Sequence, residues 1–503
     1  MSRTSLGVQP VIAVDRSLAT PLYRQIYDAY REAIVDRRLR AGQRLPSTRG
    51  LASALGISRI PALGAFEQLL AEGYFEARRG AGTFVARSLP DDFSTAEAAE
   101  AGRPSRTAPA KAKGRTRKRA LARRPDALLR RAPEPWLAGF GAFRMSQPAI
   151  DAFPLEIWSR LVSRHSRNPR QNLFRYSDAM GALPCREAIA EYLRTARAVR
   201  CEADQVMVVS GSQQALEISA RVLLEPGSPV WVEDPGYRGA RDVLTMAGAK
   251  LVPVRVDAEG LDVRQGIARS PRAHAAHVTP SHQYPIGVTL SASRRLQLLD
   301  WAHRSGAWIL EDDYDSEFRF ESLPIASLQG LDRDARVIYI GTFSKVLFPA
   351  LRMGYVVIPS DLRQRFSVVR EAMDICAPAL YQAVLADFLS EGHFARHLRR
   401  MRLLYGERRS ALVEALDEHL GDAIEVLGDA AGLHLVVAFK PEMNDRKLAN
   451  EAAQRGLWTM PLSPSYAGRA GRRPGLVLGY GSTSLAQIRD GVAALAAVLT
   501  ASR

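Results

Sequence analysis

The sequence is poor in cysteine and has no long apolar run. Its three cysteines, Cys185, Cys201 and Cys376, are widely spaced, which excludes a disulfide framework and a cysteine-based metal site and suits a reducing compartment. No apolar run reaches the roughly 18 residues that a membrane-spanning helix needs. The first residues, Met1–Gly7, lack the apolar segment of a secretory signal peptide. These absences predict a cytoplasmic protein.

Acidic residues are outnumbered by basic ones. The 503 residues include 69 lysines and arginines against 53 acids, which gives a formal net charge of +16. A charge of this size says little about the fold but indicates a polyanionic partner. The length predicts two or three domains.

The segment from Pro21 to Val85 predicts three helices and a hairpin. Apolar and aromatic residues recur at helical spacing along the first helix, at Tyr23, Ile26, Tyr27, Tyr30 and Ile34. Ser47 can cap a short second helix over Arg49–Leu55. Ser58 follows a tight turn and is the predicted N-cap of the third helix.

The predicted hairpin has strands at Glu72–Glu76 and Gly82–Val85, joined by a basic, glycine-rich turn. Polar and basic residues fall at this turn and at the helix starts, the places where nucleic-acid-binding domains meet phosphates and groove edges. The candidate contacts are Arg44, Ser47, Arg49, Ser58, Arg59, Arg78, Arg79 and Gly80. The alternative is a small helical domain whose arginines are merely solvated.

Five stretches of this segment closely resemble GntR-type winged helix-turn-helix domains. They are Pro21–Ile26, Gly42–Ser47, Leu51–Gly56, Ala71–Tyr74 and Gly80–Val85. The resemblance implies double-stranded operator DNA as a partner. One departure is Ile60–Ala62, which stands where the family usually has Asn-Thr-Val. It removes a polar contact at the front of the recognition helix and so bears on the operator sequence.

Acidic residues are scarce in the middle of the region that follows. Between Arg103 and Arg131, in a run rich in arginine and lysine, Asp126 is the only acid. Apolar periodicity fails over residues 88–133, so this region predicts a disordered, self-repelling linker. Two roles stay open: a solvated tether alone, or a tether that also contacts the DNA backbone.

From about Trp136 onward, helix-like and strand-like stretches alternate, which is typical of a mostly parallel α/β sheet. Seven short apolar runs are the predicted strands: Val206–Val209, Val230–Val232, Leu251–Val254, Ala276–Val278, Trp308–Leu310, Val337–Ile340 and Tyr355–Ile358. Helical patterns separate most of them, for example Gln214–Leu224 and Ser293–His303. Ligands bind at the carboxyl ends of such strands, so the residues after each run are candidates.

The sixth run leads to Lys345, seven residues before Arg352. A lysine at the end of a buried strand can lose its proton through desolvation, and the neutral amine attacks carbonyl carbons. A nearby arginine can hold a phosphate. Together they suit a pyridoxal phosphate Schiff-base site, although each residue alone is explained as surface charge.

Other strand ends carry matching groups. Ser210–Gln214 is a glycine turn that opens a helix, a geometry that binds phosphate. Tyr237 places a ring near the same edge of the sheet. Asp312 suits the pyridine nitrogen of the cofactor and Tyr314 its 3-oxygen. Each has an ordinary explanation as a cap, a packed ring or a solvated acid, but their succession favours one cofactor site.

Three motifs, Thr279–Pro285, Glu311–Phe318 and Thr342–Lys345, resemble fold-type-I aminotransferases. With the N-terminal module, the chain resembles transcriptional regulators of the MocR/GabR type. The resemblance implies an internal aldimine between Lys345, the catalytic residue, and pyridoxal phosphate, with no metal. The implied cofactor contacts are Ser212, Gln213, Tyr237, Asp312, Tyr314, Thr342, Lys345 and Arg352. A small-molecule effector and a head-to-tail homodimer are also implied.

The predicted fold class is therefore α/β. A winged helix-turn-helix domain, residues 19–87, is joined by the linker, residues 88–133, to a pyridoxal-phosphate-dependent transferase fold of type I, residues 134–503. That fold is expected to have a mostly parallel seven-stranded sheet and a smaller C-terminal subdomain.

Departures from the family pattern bear on function. Tyr284 replaces the asparagine common in the enzymes, which favours weak turnover, at most Schiff-base exchange or a half-transamination. Gly239 and Ser482 stand where sensors of γ-aminobutyrate carry arginines, so another amine such as taurine, or the cofactor itself, is expected. Arg238 and Arg241 could bind an anion or lie on the surface.

The sequence predicts a DNA-binding transcriptional regulator that depends on pyridoxal phosphate and senses a small amine, an amino acid or the cofactor. The alternative is a catalytically active aminotransferase with an appended DNA-binding domain. A regulator of cofactor synthesis that responds to pyridoxal phosphate alone is a further possibility.

Overall fold

The computed structural model describes residues 13–78, 80–87, 124–129, 134, 136, 138–167, 171–320, 326–440, 443–468 and 471–501. The chain divides into two compact units, Met1–Lys118 and Arg119–Arg503. In the described part, none of the helices is long and apolar enough to cross a membrane.

The N-terminal unit contains three helices and a two-stranded antiparallel sheet, as predicted. The elements are α1 (Leu22–Val35), α2 (Thr48–Ala54), α3 (Arg59–Ala71), β1 (Phe75–Arg78) and β2 (Gly82–Val85). Its core is built on three aromatic rings packed edge to face, Tyr30, Phe66 and Phe75, with centroids 5.0–5.6 Å apart. Aromatic pairs of this geometry add to the stability that apolar burial provides.

The two predicted serine caps differ. Ser47 Oγ accepts a hydrogen bond from the backbone N–H of Gly50 at 3.0 Å, which satisfies one of the free donors at the start of α2. Ser58 occupies the N-cap position of α3, but its side chain makes no capping hydrogen bond. Both serines therefore occupy their predicted N-cap positions, and Ser47 alone of the two makes a capping bond.

Two further local predictions were wrong. Tyr23 was expected on the buried face of α1, but 43% of it is exposed. The first hairpin strand begins at Phe75 rather than Glu72, because Glu72 is the C-cap of α3 and Gly73 turns the chain at a φ of 78°. Glycine tolerates this left-handed conformation, which ends the helix before a strand can start.

The second unit is built on an eight-stranded sheet. Its strands are β3 (Val206–Val209), β4 (Pro229–Asp234), β5 (Lys250–Asp257), β6 (Gly260–Leu261), β7 (Ala275–Val278), β8 (Trp308–Asp313), β9 (Val337–Thr342) and β10 (Gly354–Val357). The order is β3-β10-β9-β8-β7-β4-β5-β6. Five neighbouring strands from β9 to β5 are parallel, and β10 is antiparallel to β3 and β9. The seven predicted strands are confirmed, and the eighth is the two-residue β6.

Helices cover the sheet and explain why its strands are apolar along their length. The helices of this unit up to the C-terminal subdomain are α4 (Asp126–Leu129), α5 (Leu155–Arg167), α6 (Leu183–Arg197), α7 (Ser212–Leu223), α8 (Arg238–Ala247), α9 (Val263–Arg269), α10 (Ala292–Ser305), α11 (Leu328–Leu331), α12 (Arg363–Asp374), α13 (Ala379–Ser390) and α14 (His393–Leu420). On one face of the sheet Leu216 and Leu244 pack with Ile340. On the other face the rings of Trp231 and Trp301 stack with their centroids 3.7 Å apart. Strands buried on both faces are typical of parallel sheets.

A smaller C-terminal subdomain follows α14, as predicted. It is a four-stranded antiparallel sheet with the order β11-β12-β14-β13. Its elements are β11 (Ile424–Leu427), β12 (His434–Phe439), α15 (Asp445–Gln454), β13 (Met460–Pro461), β14 (Gly475–Gly479) and α16 (Leu485–Ala501).

Most of the predicted linker, residues 88–123 and 130–133, lies outside the described residues. In the part that is described, Asp126–Leu129 form the short helix α4. Arg124 Nη1 donates a hydrogen bond to the carbonyl of Met246 at 3.2 Å. The end of the linker therefore contacts the C-terminal turn of α8.

A buried ion pair fixes the carboxyl end of β8. Arg197 of α6 donates to Asp313 Oδ2 through Nε at 3.0 Å and Nη2 at 2.7 Å, and the Tyr339 hydroxyl donates to the same oxygen at 2.6 Å. Both charged side chains are at most 3% exposed. Burial opposes ionisation of Asp313, but the Arg197 guanidinium holds the pKa of that carboxyl below its ordinary value. The pair ties α6 to two adjacent strands.

We expect Arg197→Met to destabilise the second unit by about 3–5 kcal/mol, because the substitution leaves a buried carboxylate without its cation. Urea unfolding followed by circular dichroism measures the shift. Arg200→Met is the matched control, since Arg200 is exposed and lies just after the end of the same helix. Equal midpoints for the two variants would contradict a structural role for the pair.

Candidate cofactor site and DNA-binding face

One cavity of about 160 Å³ lies at the carboxyl ends of the central strands. All eight side chains predicted to contact the cofactor line it. The lining residues are Ser146, Ser212, Gln213, Tyr237, Thr279, Tyr284, Asp312, Tyr314, Thr342, Ser344, Lys345 and Arg352. The parallel strands bring these residues to one edge because each strand ends there.

The end of the cavity nearest β3 is suited to an anion. Helix α7 begins at Ser212, directly after Gly211, whose φ is 95°. The free N–H groups of a helix start attract negative charge. The Arg352 guanidinium lies on the same side, since a Cβ atom built on Gly211 would come within 3.4–3.6 Å of it. Arg352 Nη2 also donates to the carbonyl of Ser210 at 2.8 Å, which positions the guanidinium.

Asp312 offers an unsatisfied acceptor at the other end of the cavity. The residue is buried, and within the described part of the chain its Oδ1 atom has no hydrogen-bond partner. Its Oδ2 atom lies 3.6 Å from Nε2 of His277. A buried carboxylate oxygen without a donor is costly unless a ligand supplies one. The protonated pyridine nitrogen of pyridoxal phosphate is a donor of the required kind, so the residue present here fits the predicted cofactor.

Tyr314 belongs to a hydrogen-bonded group behind the cavity. Its hydroxyl lies 3.1 Å from His282 Nδ1, and that nitrogen lies 3.1 Å from both oxygens of Asp315. Burial, assisted by the Asp315 carboxylate, raises the pKa of Tyr314 well above its ordinary value. The phenol therefore stays protonated and can donate a hydrogen bond to an oxygen in the cavity.

His282 and Asp315 also approach His434, and the potential ligand atoms of the three lie within 4.8 Å of one another. Three of the four ring nitrogens have partners: His434 Nε2 pairs with the carbonyl of Pro285 at 3.0 Å, His282 Nδ1 with Asp315, and His282 Nε2 with the carbonyl of Gly428 at 3.4 Å. Burial lowers the pKa of His434 to about 3, so the imidazole is neutral. The group acts as a hydrogen-bonded support behind Tyr314.

The Tyr237 ring is held in place by two contacts. Its hydroxyl accepts a hydrogen bond from Gln213 Nε2 at 2.8 Å, and its ring meets that of Tyr284 edge on with centroids 5.2 Å apart. A Cβ atom on Gly239 would lie 2.5 Å from the Tyr237 hydroxyl and 2.2 Å from Gln213. A larger residue at position 239 would therefore require the Gln213 and Tyr237 side chains to move.

Lys345 is half-buried in the cavity, where its Nζ atom donates to the carbonyl of Ser146 at 3.3 Å. Burial lowers the pKa of this amine to about 8, against the opposing effect of the Asp315 carboxylate. A substantial neutral fraction therefore exists near pH 8, which a carbonyl nucleophile requires.

Four residues that line the cavity were not predicted as cofactor contacts. Ser344 is the most informative, because its buried Oγ has no partner among the described residues. It lies inside the motif Thr342–Lys345, so the sequence signal was available. Thr279 and Tyr284 also lie in quoted motifs. Ser146 lies 199 residues before Lys345, and no spacing rule connects them.

The predicted DNA contacts lie in the N-terminal unit. Arg44, Arg49 and Arg59 are exposed. Arg59 Nε donates to Thr48 Oγ1 at 3.2 Å, which orients its side chain across the start of α2. Ser47 is exposed too, although its hydroxyl already caps α2.

At the hairpin turn, Arg78 is less available to contact DNA than predicted. Arg78 forms an ion pair with Glu76 and stacks on the ring of Phe84 at 4.5 Å. These contacts hold the guanidinium against its own hairpin and make it a weaker candidate. Gly80 turns the chain with a φ of 77°, and Arg79 lies outside the described residues.

We expect the acetylation of Lys345 by acetic anhydride to rise with pH around a midpoint near 8 and then level off, because the reagent attacks only the neutral amine. Mass spectrometry of tryptic peptides gives the profile, with the exposed Lys440 as an internal comparison. Asp315→Asn removes a charge that favours the protonated amine, so its midpoint moves to lower pH. A Lys345 profile that still climbs above pH 10 would contradict the burial effect.

Comparison with known proteins gives two family matches. Residues 22–85 match the family "Bacterial regulatory proteins, gntR family", and residues 150–473 match "Aminotransferase class I and II". The first match covers the helix-turn-helix and hairpin, and the second contains all eight predicted cofactor residues.

Two regulators and one enzyme structure are similar to the chain. The probable rhizopine catabolism regulatory protein MocR of Rhizobium meliloti is 41% identical over 488 residues, 96% of this chain and 95% of that protein. The pyridoxine biosynthesis transcriptional regulator PdxR of Corynebacterium glutamicum is 30% identical, over 96% of this chain and 98% of that protein. Kynurenine aminotransferase of Pyrococcus horikoshii superposes with a TM-score of 0.69 at 26% identity, covering 75% of this chain and 96% of the enzyme.

The enzyme structure matches the larger unit, while the regulators match nearly the whole chain, including its helix-turn-helix region. The chain therefore belongs to the family of transcriptional regulators, MocR among them, that join a GntR-type DNA-binding domain to an aminotransferase-like domain.

Proposed function

We propose that this regulator binds pyridoxal phosphate through Lys345 and double-stranded operator DNA through its N-terminal unit, in the cytoplasm. A small amine, or the cofactor itself, is the signal. The observation that carries the proposal is the cavity in which a buried lysine amine, an anion-binding helix start and an unsatisfied carboxylate oxygen face one space. No single ordinary packing role accounts for all three.

Different residues hold different parts of the cofactor. Arg352 and the N–H groups at Ser212 and Gln213 hold the phosphate. Asp312 keeps the pyridine nitrogen protonated and Tyr314 donates to the 3-oxygen. The cofactor, when bound, supplies an aldehyde that condenses with a primary amine.

Tyr237 and Thr342 complete this assignment. Tyr237 stacks on the ring, and its hydrogen bond to Gln213 keeps the aromatic face in position. Thr342 lines the cavity from the end of β9.

Sensing follows from the exchangeable bond at Lys345. A signal amine competes with the Lys345 amine for the aldehyde, and the released lysine changes the balance of charge in the cavity. A signal can shift a conformational equilibrium only through different contacts in the two states. The names of the relatives support two sources of signal: MocR is named for rhizopine catabolism, and PdxR for pyridoxine biosynthesis.

We assign the regulator a head-to-tail homodimer. Large apolar side chains are exposed on the aminotransferase-like unit, with Phe140 81%, Phe174 78% and Tyr176 82% exposed. Aromatic residues are enriched where protein surfaces meet, and exposed apolar patches mark such interfaces. A second copy of the chain is the occupant in this proposal.

We expect the protein reconstituted with pyridoxal phosphate to show a visible absorption band that borohydride reduction fixes on Lys345. Lys345→Ala removes the amine and abolishes the band. Lys440→Ala removes an exposed lysine and keeps it. Spectra of the three proteins after desalting make the comparison. A colourless wild-type protein after reconstitution would overturn the assignment of the cofactor.

We expect Arg49→Ala and Arg59→Ala each to weaken DNA binding and to reduce the slope of log K against log salt by about 1, because each removes one phosphate contact. Fluorescence anisotropy with a labelled duplex over a range of salt concentrations measures both effects. Arg304→Ala removes an exposed charge from the other unit and is the control. The visible band stays unchanged in all three variants. An unaltered salt slope in Arg49→Ala and Arg59→Ala would exclude these residues from the interface.

A further inference from the structure

Helix α3 presents an apolar side chain to solvent at its start. Ile60 is the second residue of this helix and is 79% exposed. The buried residues of α3 are Ala62, Ala65, Phe66 and Leu69. At about 100° per residue, Ile60 lies on the opposite side of the helix from them. Its side chain therefore points away from the core of the unit.

Two arginines lie near the start of α3. Arg59 precedes Ile60 and is tied to Thr48, and Arg49 is exposed on α2. Leu63, one turn further along α3, is 39% exposed and extends the apolar surface. The face thus combines cations suited to phosphates with a small apolar centre.

Exposure alone decides nothing, because single apolar side chains are common on protein surfaces. The position of Ile60 at the start of the recognition helix is what indicates a function. In helix-turn-helix domains the first residues of the recognition helix contact base edges in the major groove. Isoleucine has neither a donor nor an acceptor there. The base feature that it can favour is the C5-methyl group of thymine.

We propose that Ile60 determines sequence specificity by packing on a thymine methyl group in each half of the operator. This proposal rests on the proposed DNA-binding function. A cytosine at the same position lacks the methyl and presents an amino group, which the isoleucine side chain would desolvate without a hydrogen bond. The regulator therefore prefers thymine at one position of each half-site.

The test uses the full-length protein and duplexes that it enriches from a random library. Each conserved thymine in the enriched sequence is replaced in turn by deoxyuridine, which removes only the methyl group. We expect one position in each half-site to lose roughly fourfold in wild-type affinity, the value of one buried methyl. Ile60→Ala and Ile60→Asn bind the thymine and deoxyuridine duplexes equally well.

Two matched controls separate this contact from folding and from general weakening. Ile267→Ala truncates another exposed isoleucine, 42% exposed on α9, and keeps the wild-type response to deoxyuridine. The salt dependence of Ile60→Ala equals that of the wild type, because its phosphate contacts remain. Truncation of so exposed a side chain leaves no cavity, so thermal stability is unchanged.

Three results would overturn the proposal. In the first, deoxyuridine lowers the binding affinity at none of the positions. In the second, it lowers the affinity by the same factor in the wild type and in Ile60→Ala. The response could instead disappear only in Leu63→Ala, which would assign the contact to Leu63. Failure to enrich any sequence would overturn the proposed operator binding together with this contact, and is thereby distinguished from the other three.

Discussion

Desolvation of charged groups at the carboxyl edge of the large sheet is the constraint on which the rest of the site depends. Several acids end the central strands in a buried environment, where an unpaired charge is costly. Glu233 is satisfied by the hydroxyl of Thr279 at 2.6 Å, and Glu311 by the backbone N–H groups of Leu328 and Gln329 at 2.8 and 2.9 Å. Asp312, beside Glu311, is left with an unsatisfied oxygen that faces a cavity.

The position of this oxygen argues for a ligand more strongly than its burial does. Glu311 takes two backbone donors, and Asp313 Oδ2 takes Arg197 and Tyr339. Asp313 Oδ1 also lacks a partner among the described residues, but Asp313 does not line the cavity, whereas Asp312 does. The same burial that makes the free carboxylate costly lowers the pKa of Lys345, so one constraint prepares both ends of the proposed cofactor site.

The sequence predicted the fold where a regular pattern or a quoted motif existed. All seven apolar runs became strands, because runs of this length with helical stretches between them have few other arrangements. The ends of these runs indicated the edge of the sheet where the cofactor residues lie, and the resemblance to aminotransferases implied which residues they are. Their roles in holding the cofactor stay predictions.

The features that the sequence did not predict depend on tertiary contacts. Ser146 comes from a loop before α5, and its approach to Lys345 follows from the tertiary packing alone. The ion pair of Arg78 with Glu76 and the exposure of Tyr23 depend on packing within the unit, which helical or strand periodicity does not report. The constraint on Gly239 likewise comes from Gln213, on another helix.

The two units have separate hydrophobic cores, one around Phe66 and the others around the large and small sheets. Occupancy of the cavity therefore cannot reshape α3 by repacking a shared core. The described end of the linker meets the site at α8. Tyr237 is the N-cap of this helix, and Arg124 of the linker contacts the carbonyl of Met246 in its last turn. Glu134, the first residue after the linker, pairs with Arg238 in its first turn. If the signal shifts Tyr237, as the proposed function requires, the helix that moves is therefore one that the linker contacts at its last turn.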